Sequence, residues 1–236
     1  MDKIVYIFSH TKTMKESSIK GIREPVFIDK TNIIVNKIKE LDINDIKKVF
    51  NLSDKLSNQV YEYYKEFNLN NNNAINSYNG LSFKYLDVDN LDDNDIKFAK
   101  EHLFILSALY GVLRIDDSIS MYRLDFKDNR LYDYWLDDIY NYFKDYTVIN
   151  LASNEYAKLI TDYDHNNFID IIFNTYENNK YRVIPTANKV MRGKYLNYII
   201  KNKIESIDSI KLISIDNYVF NINESTNKSL VFTNIL

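Results

Sequence analysis

Cysteine is absent from the 236 residues. Its absence excludes a disulfide framework and any peroxidase or redox-sensing chemistry that runs through a thiolate. Proline occurs only at Pro25 and Pro185, and no Ser/Gly/Pro-rich linker interrupts the chain, so residues 1–236 are expected to form a single domain. His10, His102 and His165 are far apart and show no metal-ligand spacing, and neither H-E-x-x-H nor a Glu-x-x-His pair occurs. No metal is expected. Walker, Rossmann and G-x-S-x-G glycine patterns are missing too, and no cofactor is expected. No apolar run approaches membrane-spanning length, and the opening MDKIVYIFSH turns polar too soon for a signal peptide. A soluble, cytoplasmic protein without a membrane partner is expected. The formal net charge of −3 excludes coating of a polyanion by bulk attraction, so any such binding must rest on local charge.

What the chain has in quantity is aromatic bulk, with 20 tyrosines and 13 phenylalanines. Tyrosine fills core volume and leaves a polar tip for a partner or for solvent.

The stretch Asp95 to Phe126, DIKFAKEHLFILSALYGVLRIDDSISMYRLDF, organises the rest. Ile96, Ala99, Leu103, Leu106 and Tyr110 recur at three- and four-residue steps and predict one helix with an apolar face. Asn94 is placed to cap its start and Gly111 to end it in a left-handed conformation. Val112, Leu113, Arg114 and a segment carrying Tyr122 and Arg123 follow. Helix, glycine turn and further helical chain is the outline of a helix-hairpin-helix, whose turn amides can hold a phosphate. The same pattern also fits an amphipathic core helix ending at a glycine.

Two strand ends predict a pocket. KIVYIF at Lys3 to Phe8 reads as a buried strand running into Ser9, His10, Thr11, Lys12 and Thr13. Lys12 with Ser9 and Thr13 suits an oxyanion. YTVINL at Tyr146 to Leu151 is a second strand, followed by Ala152, Ser153 and a helix from about Glu155 to Ile160. A strand, a polar turn and a helix N-terminus together suit an anion, and Ser153 is equally suited to capping that helix.

The sharpest charge feature runs from Lys180 to Lys203. Lys180, Arg182, Lys189, Arg192, Lys194, Lys201 and Lys203 occur there without one acidic residue. Lys189 and Arg192 share a helical face, and Gly193 beside them offers room for close approach of a phosphate backbone. Tyr195 and Tyr198 are interleaved, either to stack on a base or to pack in the core.

The other segments are read more simply. Thr31 to Lys39, Asn44 to Phe50 and Ser53 to Phe67 predict helices capped by Thr31, Asn44 and Ser53. Asn68 to Asn76 reads as a surface loop, and five aspartates between Asp87 and Asp95 would repel DNA. Leu131 to Phe143 predicts an aromatic helix around Trp135. Phe168 to Tyr176 and Tyr181 to Ile184 flank ENNK as a hairpin, and LISI, YVFNI and SLVF are strand-like pieces near the C-terminus.

LSALYGVLRIDDSISMYRLDF, LYDYW at Leu131, NLASNEY at Asn150 and MRG at Met191, in that order, resemble the YaaA peroxide-stress family over nearly the whole chain. The resemblance implies a mixed α/β protein of unusual fold, a central sheet surrounded by helices, with a helix-hairpin-helix element and a positive cleft. It further implies a DNA-binding protein of the response to hydrogen peroxide, associated with DNA repair and with limiting intracellular iron. His10 stands where the family has proline, and KVMRG stands where it has the more basic KKARG.

Two functions follow as expectations, with a repair-complex scaffold that binds other proteins through its tyrosine-rich surface as a third. The first is a non-enzymatic module that holds duplex or branched DNA, with low sequence selectivity and repair proteins as further partners. Its phosphate ligands would come from Lys12, Tyr110, Gly111, Arg114, Arg123, Ser153, Lys189, Arg192, Gly193 and Lys194. The second is an enzyme acting on a nucleotide or nucleobase at the two strand ends, with Asp116 or Glu155 moving a proton. No catalytic residue is assigned.

Overall fold

The computed structural model describes residues 3–68, 72–126, 129–161, 167–177 and 180–234. In chain order these form β1 (Ile4–Ser9), α1 (Ile28–Lys39), α2 (Ile43–Phe50), α3 (Asp54–Lys65), β2 (Asn72–Asn73), α4 (Ala74–Ser77) and α5 (Leu81–Leu86). There follow α6 (Asp93–His102), β3 (Leu103–Ser107), β4 (Gly111–Arg114), β5 (Ser118–Ile119), α7 (Asn129–Phe143), β6 (Thr147–Asn150) and α8 (Asn154–Thr161). The chain continues with β7 (Phe168–Glu177), β8 (Lys180–Arg182), α9 (Pro185–Lys201), α10 (Ile207–Lys211), β9 (Tyr218–Phe220) and β10 (Ser229–Asn234).

Val5, Tyr6, Ile7 and Phe8 are all buried, so β1 must lie inside a sheet covered on both faces. It pairs in parallel with β3 on one side and with β6 on the other. β7 adds to β6 and β10 to β7, again in parallel, while β4 and β9 close the two edges antiparallel. The result is a mixed sheet flanked by helices. From β1 the chain lays β3 on one side and later places β6, β7 and β10 on the other. The carboxyl ends of β1 and β6 are therefore a topological switch point, where the outgoing loops diverge and leave a crevice.

The central stretch differs from its expected form. Helix α6 stops at His102, and Leu103 to Ser107 form the fully buried strand β3. An apolar run buried on both faces looks the same to helical and strand periodicity, and pairing with β1 decides for strand. The turn at Ala108 to Tyr110 then joins β3 to β4, two strands of one sheet, and not two helices. The expected helix-hairpin-helix is thus not what this stretch forms. Gly111 does adopt φ +70°, as a stop residue would, but it begins β4 against Trp135. Trp135 Nε1 in turn donates to Ala108 O at 2.9 Å, which fixes α7 on the hairpin.

Capping shifts by a residue or two. Asp92, not Asn94, caps α6, in a reciprocal box with Asp95. Asp92 accepts from the Asp95 amide at 2.8 Å, and Asp95 accepts from the Asp92 amide at 3.1 Å. Asp42 caps α2 in place of the expected Asn44. Thr31 is not a cap at all: it lies inside α1, buried, and its hydroxyl donates to Leu109 O at 3.0 Å. Ser53 does sit at the N-cap of α3, without a side-chain capping bond.

The hairpin of β7 and β8 forms as expected, with Thr175 opposite Arg182. Its turn at 178–179 lies outside the described residues, as do His165 and residues 69–71 of the asparagine-rich loop. YVFNI and SLVF supply β9 and β10, whereas LISI contributes only an isolated bridge at Ile215. No helix among the described residues is long and apolar enough to cross a membrane.

Candidate functional site at the carboxyl ends of β1 and β6

The two polar strand ends meet. The Ser153 amide, just before α8, donates to Ser9 Oγ at 3.2 Å, so the β6–α8 turn is tied to the end of β1. Asn150 holds the floor. Its Oδ1 accepts from the Ala152 amide at 2.8 Å, and its Nδ2 donates to Asp170 Oδ1 on the neighbouring strand at 2.6 Å.

His10 turns inward from this edge and is buried. It contacts the rings of Tyr78, Tyr122 and Tyr156, and its Nε2 lies 2.5 Å from the Tyr156 hydroxyl. Burial lowers its pKa to about 4 against the opposing pull of Asp125, so the ring is neutral at neutral pH. Behind it the Tyr78 and Tyr122 hydroxyls lie 2.9 Å apart. Ser107 Oγ lies 2.7 Å from the Tyr122 hydroxyl and accepts from the Leu109 and Tyr110 amides. Burial pushes all these tyrosines above the ordinary phenol range. The cluster is thus an uncharged, hydrogen-bonded backing for the crevice.

On the β7 side a pocket of about 570 Å³ opens between α8 and α9. Asn154 and Lys158 of α8, Asp170 of β7, and Asn188 and Arg192 of α9 line it. Asn188 and Arg192 stand four residues apart on one helical face, and Asn188 Nδ2 donates to Phe173 O at 2.9 Å. That bond occupies a position on β7 between its pairing with β6, which ends at Asp170, and its pairing with β8, which begins at Thr175. The Arg192 Nε is buried with no hydrogen-bond partner. Burial lowers the Arg192 pKa and Asp170 counters the shift. Burial likewise raises the Asp170 pKa, with Asn150 and Arg192 opposing.

The residues singled out from the sequence fall into three groups. Ser153 sits at the crevice and Arg192 in the pocket beside it, whereas Lys12 and Arg123 adjoin each other past the end of β1, where Arg123 also lines a separate cavity with α1 and α7. Lys12 is paired with Asp125 at 2.7 Å, and the Arg123 guanidinium donates to Lys12 O at 3.4 Å. Lys189 is exposed on α9, and Lys194 on the same helix is ion-paired with Asp216.

Arg114 is elsewhere. It pairs with Phe104 at the start of β3, whereas Gly111 lies beside Ser107 at the strand's end. Tyr110 and Gly111 are buried, and the Tyr110 hydroxyl accepts from the Ser120 amide at 2.9 Å. Gly193 does not open an approach for phosphate either. It is buried under α5, where any Cβ would collide with the Ser82 carbonyl oxygen. Asp116, one of the two acids considered for proton transfer, is buried 3.4 Å from both Arg23 and Lys100, near Arg114 and away from the crevice.

Sequence reasoning missed Asn188 and Asp170. Asn188 was available from its four-residue spacing to Arg192, but Asp170 becomes visible only when β7 is placed beside β6.

The family model described as peroxide stress protein YaaA matches residues 4–224. The chain belongs to this family. A UPF0246 protein of Finegoldia magna is 37% identical over 238 residues, covering 98% of each chain. A second, from Fusobacterium nucleatum, is 36% identical and covers 96% of this chain and 97% of its own. A third, from Clostridioides difficile strain 630, is 33% identical over 97% of this chain and 99% of its own. Similarity therefore extends over both strand ends and over α9. No group of three or more histidines, acids or cysteines able to hold a metal occurs among the described residues.

Proposed function

We propose that this chain binds DNA, in the cytoplasm and in the peroxide-stress response that its family is named for, through phosphate contacts along the crevice at the ends of β1 and β6. The observation that carries the reading is Arg192, which lines an open pocket while its Nε is buried and unbonded. An arginine held this way is left with donors to satisfy, and a planar fork of N–H groups matches a phosphate. Ser153 lies beside the pocket, Lys189 is exposed on the same helix, and Lys12 with Arg123 lies beyond the Ser9 link. Contacts of this type give affinity without reading sequence, so binding is weakly selective and falls steeply with salt. Association with repair proteins and a role in limiting iron rest on the resemblance alone.

The test is a salt titration of a fluorescent duplex against the wild type and Lys189→Ala/Arg192→Ala. The double variant is expected to bind more weakly, with a log–log salt slope shallower by about 1 for each phosphate it no longer neutralises. Unchanged affinity with an unchanged slope removes the proposal.

A further inference from the structure

The α8–α9 pocket contains a feature that a plain phosphodiester site does not need. Arg192 shares it with a carboxylic acid, Asp170, whose Oδ1 already accepts from Asn150 at 2.6 Å. An internal phosphodiester carries no proton near neutral pH, so it has none to donate to the Asp170 carboxyl oxygen. A phosphate monoester has a second ionisation near pH ~6 and can place a proton between its own oxygen and the acid. Shape points the same way. The pocket is walled by α8, β7 and α9, and its volume of about 570 Å³ holds a phosphate together with the sugar that carries it.

We infer that the pocket between α8 and α9 is a site for a terminal phosphate, such as the phosphorylated end of a broken or nicked DNA strand. Arg192 takes the charge, Asp170 accepts the hydrogen bond of the protonated phosphate oxygen, and Asn154, Lys158 and Asn188 line the pocket beside them together with apolar side chains of α8 and β7. The inference rests on the reading of Arg192 as a phosphate ligand and narrows it from phosphates in general to phosphates at ends. It adds no reaction: the site recognises an end and breaks no bond.

The experiment compares duplexes carrying a single nick, with either a phosphate or a hydroxyl at the nick, in separate arms for the 5′ and 3′ positions. Each is titrated against wild type, Asp170→Asn and Arg192→Lys, with thymidine 5′-monophosphate, inorganic phosphate and sulfate as competitors. At least tenfold tighter binding of a phosphorylated nick is expected in the wild type. Competition by the monophosphate and by phosphate, but not by sulfate, is expected as well. Asp170→Asn is expected to lose the discrimination between phosphate and sulfate while still binding duplex. Equal affinity for phosphorylated and hydroxyl nicks, with salt-dependent binding intact, overturns this inference and leaves DNA binding standing. The reverse result, no binding to any duplex but heat stabilisation of the wild type by the monophosphate, removes DNA binding and keeps the pocket. Should either variant fail to fold, the wild-type comparison of the two nicks decides alone.

Discussion

The Ser153 amide donates to Ser9 Oγ at 3.2 Å across the gap between the end of β1 and the start of α8. This bond closes the crevice floor between two strand ends that are 144 positions apart in sequence. Removing the acceptor leaves an amide near a helix start without its partner, at a typical cost of about 0.5–1.5 kcal/mol. Ser9→Ala is therefore expected to lower stability by about that amount and to speed hydrogen exchange at Ser153. Unchanged exchange at that amide would show that the link does not order the turn.

Two buried groups give opposite pH dependences. His10 titrates at about 4 in the fold because burial lowers its pKa, against about 6.5 in the unfolded chain. The unfolded state thus binds more protons between these values. The associated stability is present above about 6.5 and is lost as pH falls toward 4. Asp117 titrates at about 7 because burial raises its pKa, with the Arg114 amide bond opposing. Here the folded state binds more protons, so stability present below the unfolded value near 3.9 is lost as pH rises toward 7. Urea unfolding from pH 4.5 to 7.5 separates the two. His10→Gln is expected to make stability fall more steeply with rising pH than in the wild type, and Asp117→Asn is expected to make it rise more. Parallel profiles for all three proteins would mean that neither group titrates as described.

Gly193 lies where α9 crosses α5, and an added methyl meets the Ser82 carbonyl. Overpacking of this kind costs about 1–3 kcal/mol, against about 1 kcal/mol recovered from the better helix propensity of alanine. Gly193→Ala is expected to be destabilised on balance and to show a lower thermal midpoint. A variant as stable as the wild type would show that the two helices separate without penalty.

The capping box at Asp92 and Asp95 starts the helix that leads directly into β3. Asp92→Ala is expected to lose about 1 kcal/mol, measured by denaturant unfolding. Because α6 feeds the sheet without a loop, fraying is expected to reach its first turn and stop before Leu103. Hydrogen exchange along Asp93 to His102 checks that limit.

Much of the framework is readable in one dimension because it is local. Val5 to Phe8 and Thr147 to Asn150 read as strands from their apolar and β-branched runs, and α8 reads as a helix behind its polar turn. The polar ends Ser9 and Ser153 are visible as candidates for the same reason. The segment Leu103 to Ser107 misleads because its four consecutive apolar residues satisfy both periods, and only the presence of β1 alongside selects one. Gly193 misleads because a glycine open to solvent and one pressed against a neighbouring helix are spelled alike. The run of seven cations from Lys180 to Lys203 is real as composition but does not survive as one surface. Lys194 and Lys203 are ion-paired with Asp216 and Asp95, and Arg182 with Glu177 at 2.5 Å.

The sequence by itself determined that chemistry here uses no thiol, that strands and helices are both present, and that polar residues follow two buried strands. Those properties depend on residue type and on neighbours a few positions away. Only the tertiary structure decided that the two strand ends lie side by side, that Arg192 faces Asp170 and Asn188, and which cations are neutralised by distant acids. Strand order and helix crossing are set by burial shared between segments far apart in the chain, and no local pattern encodes which segments those are.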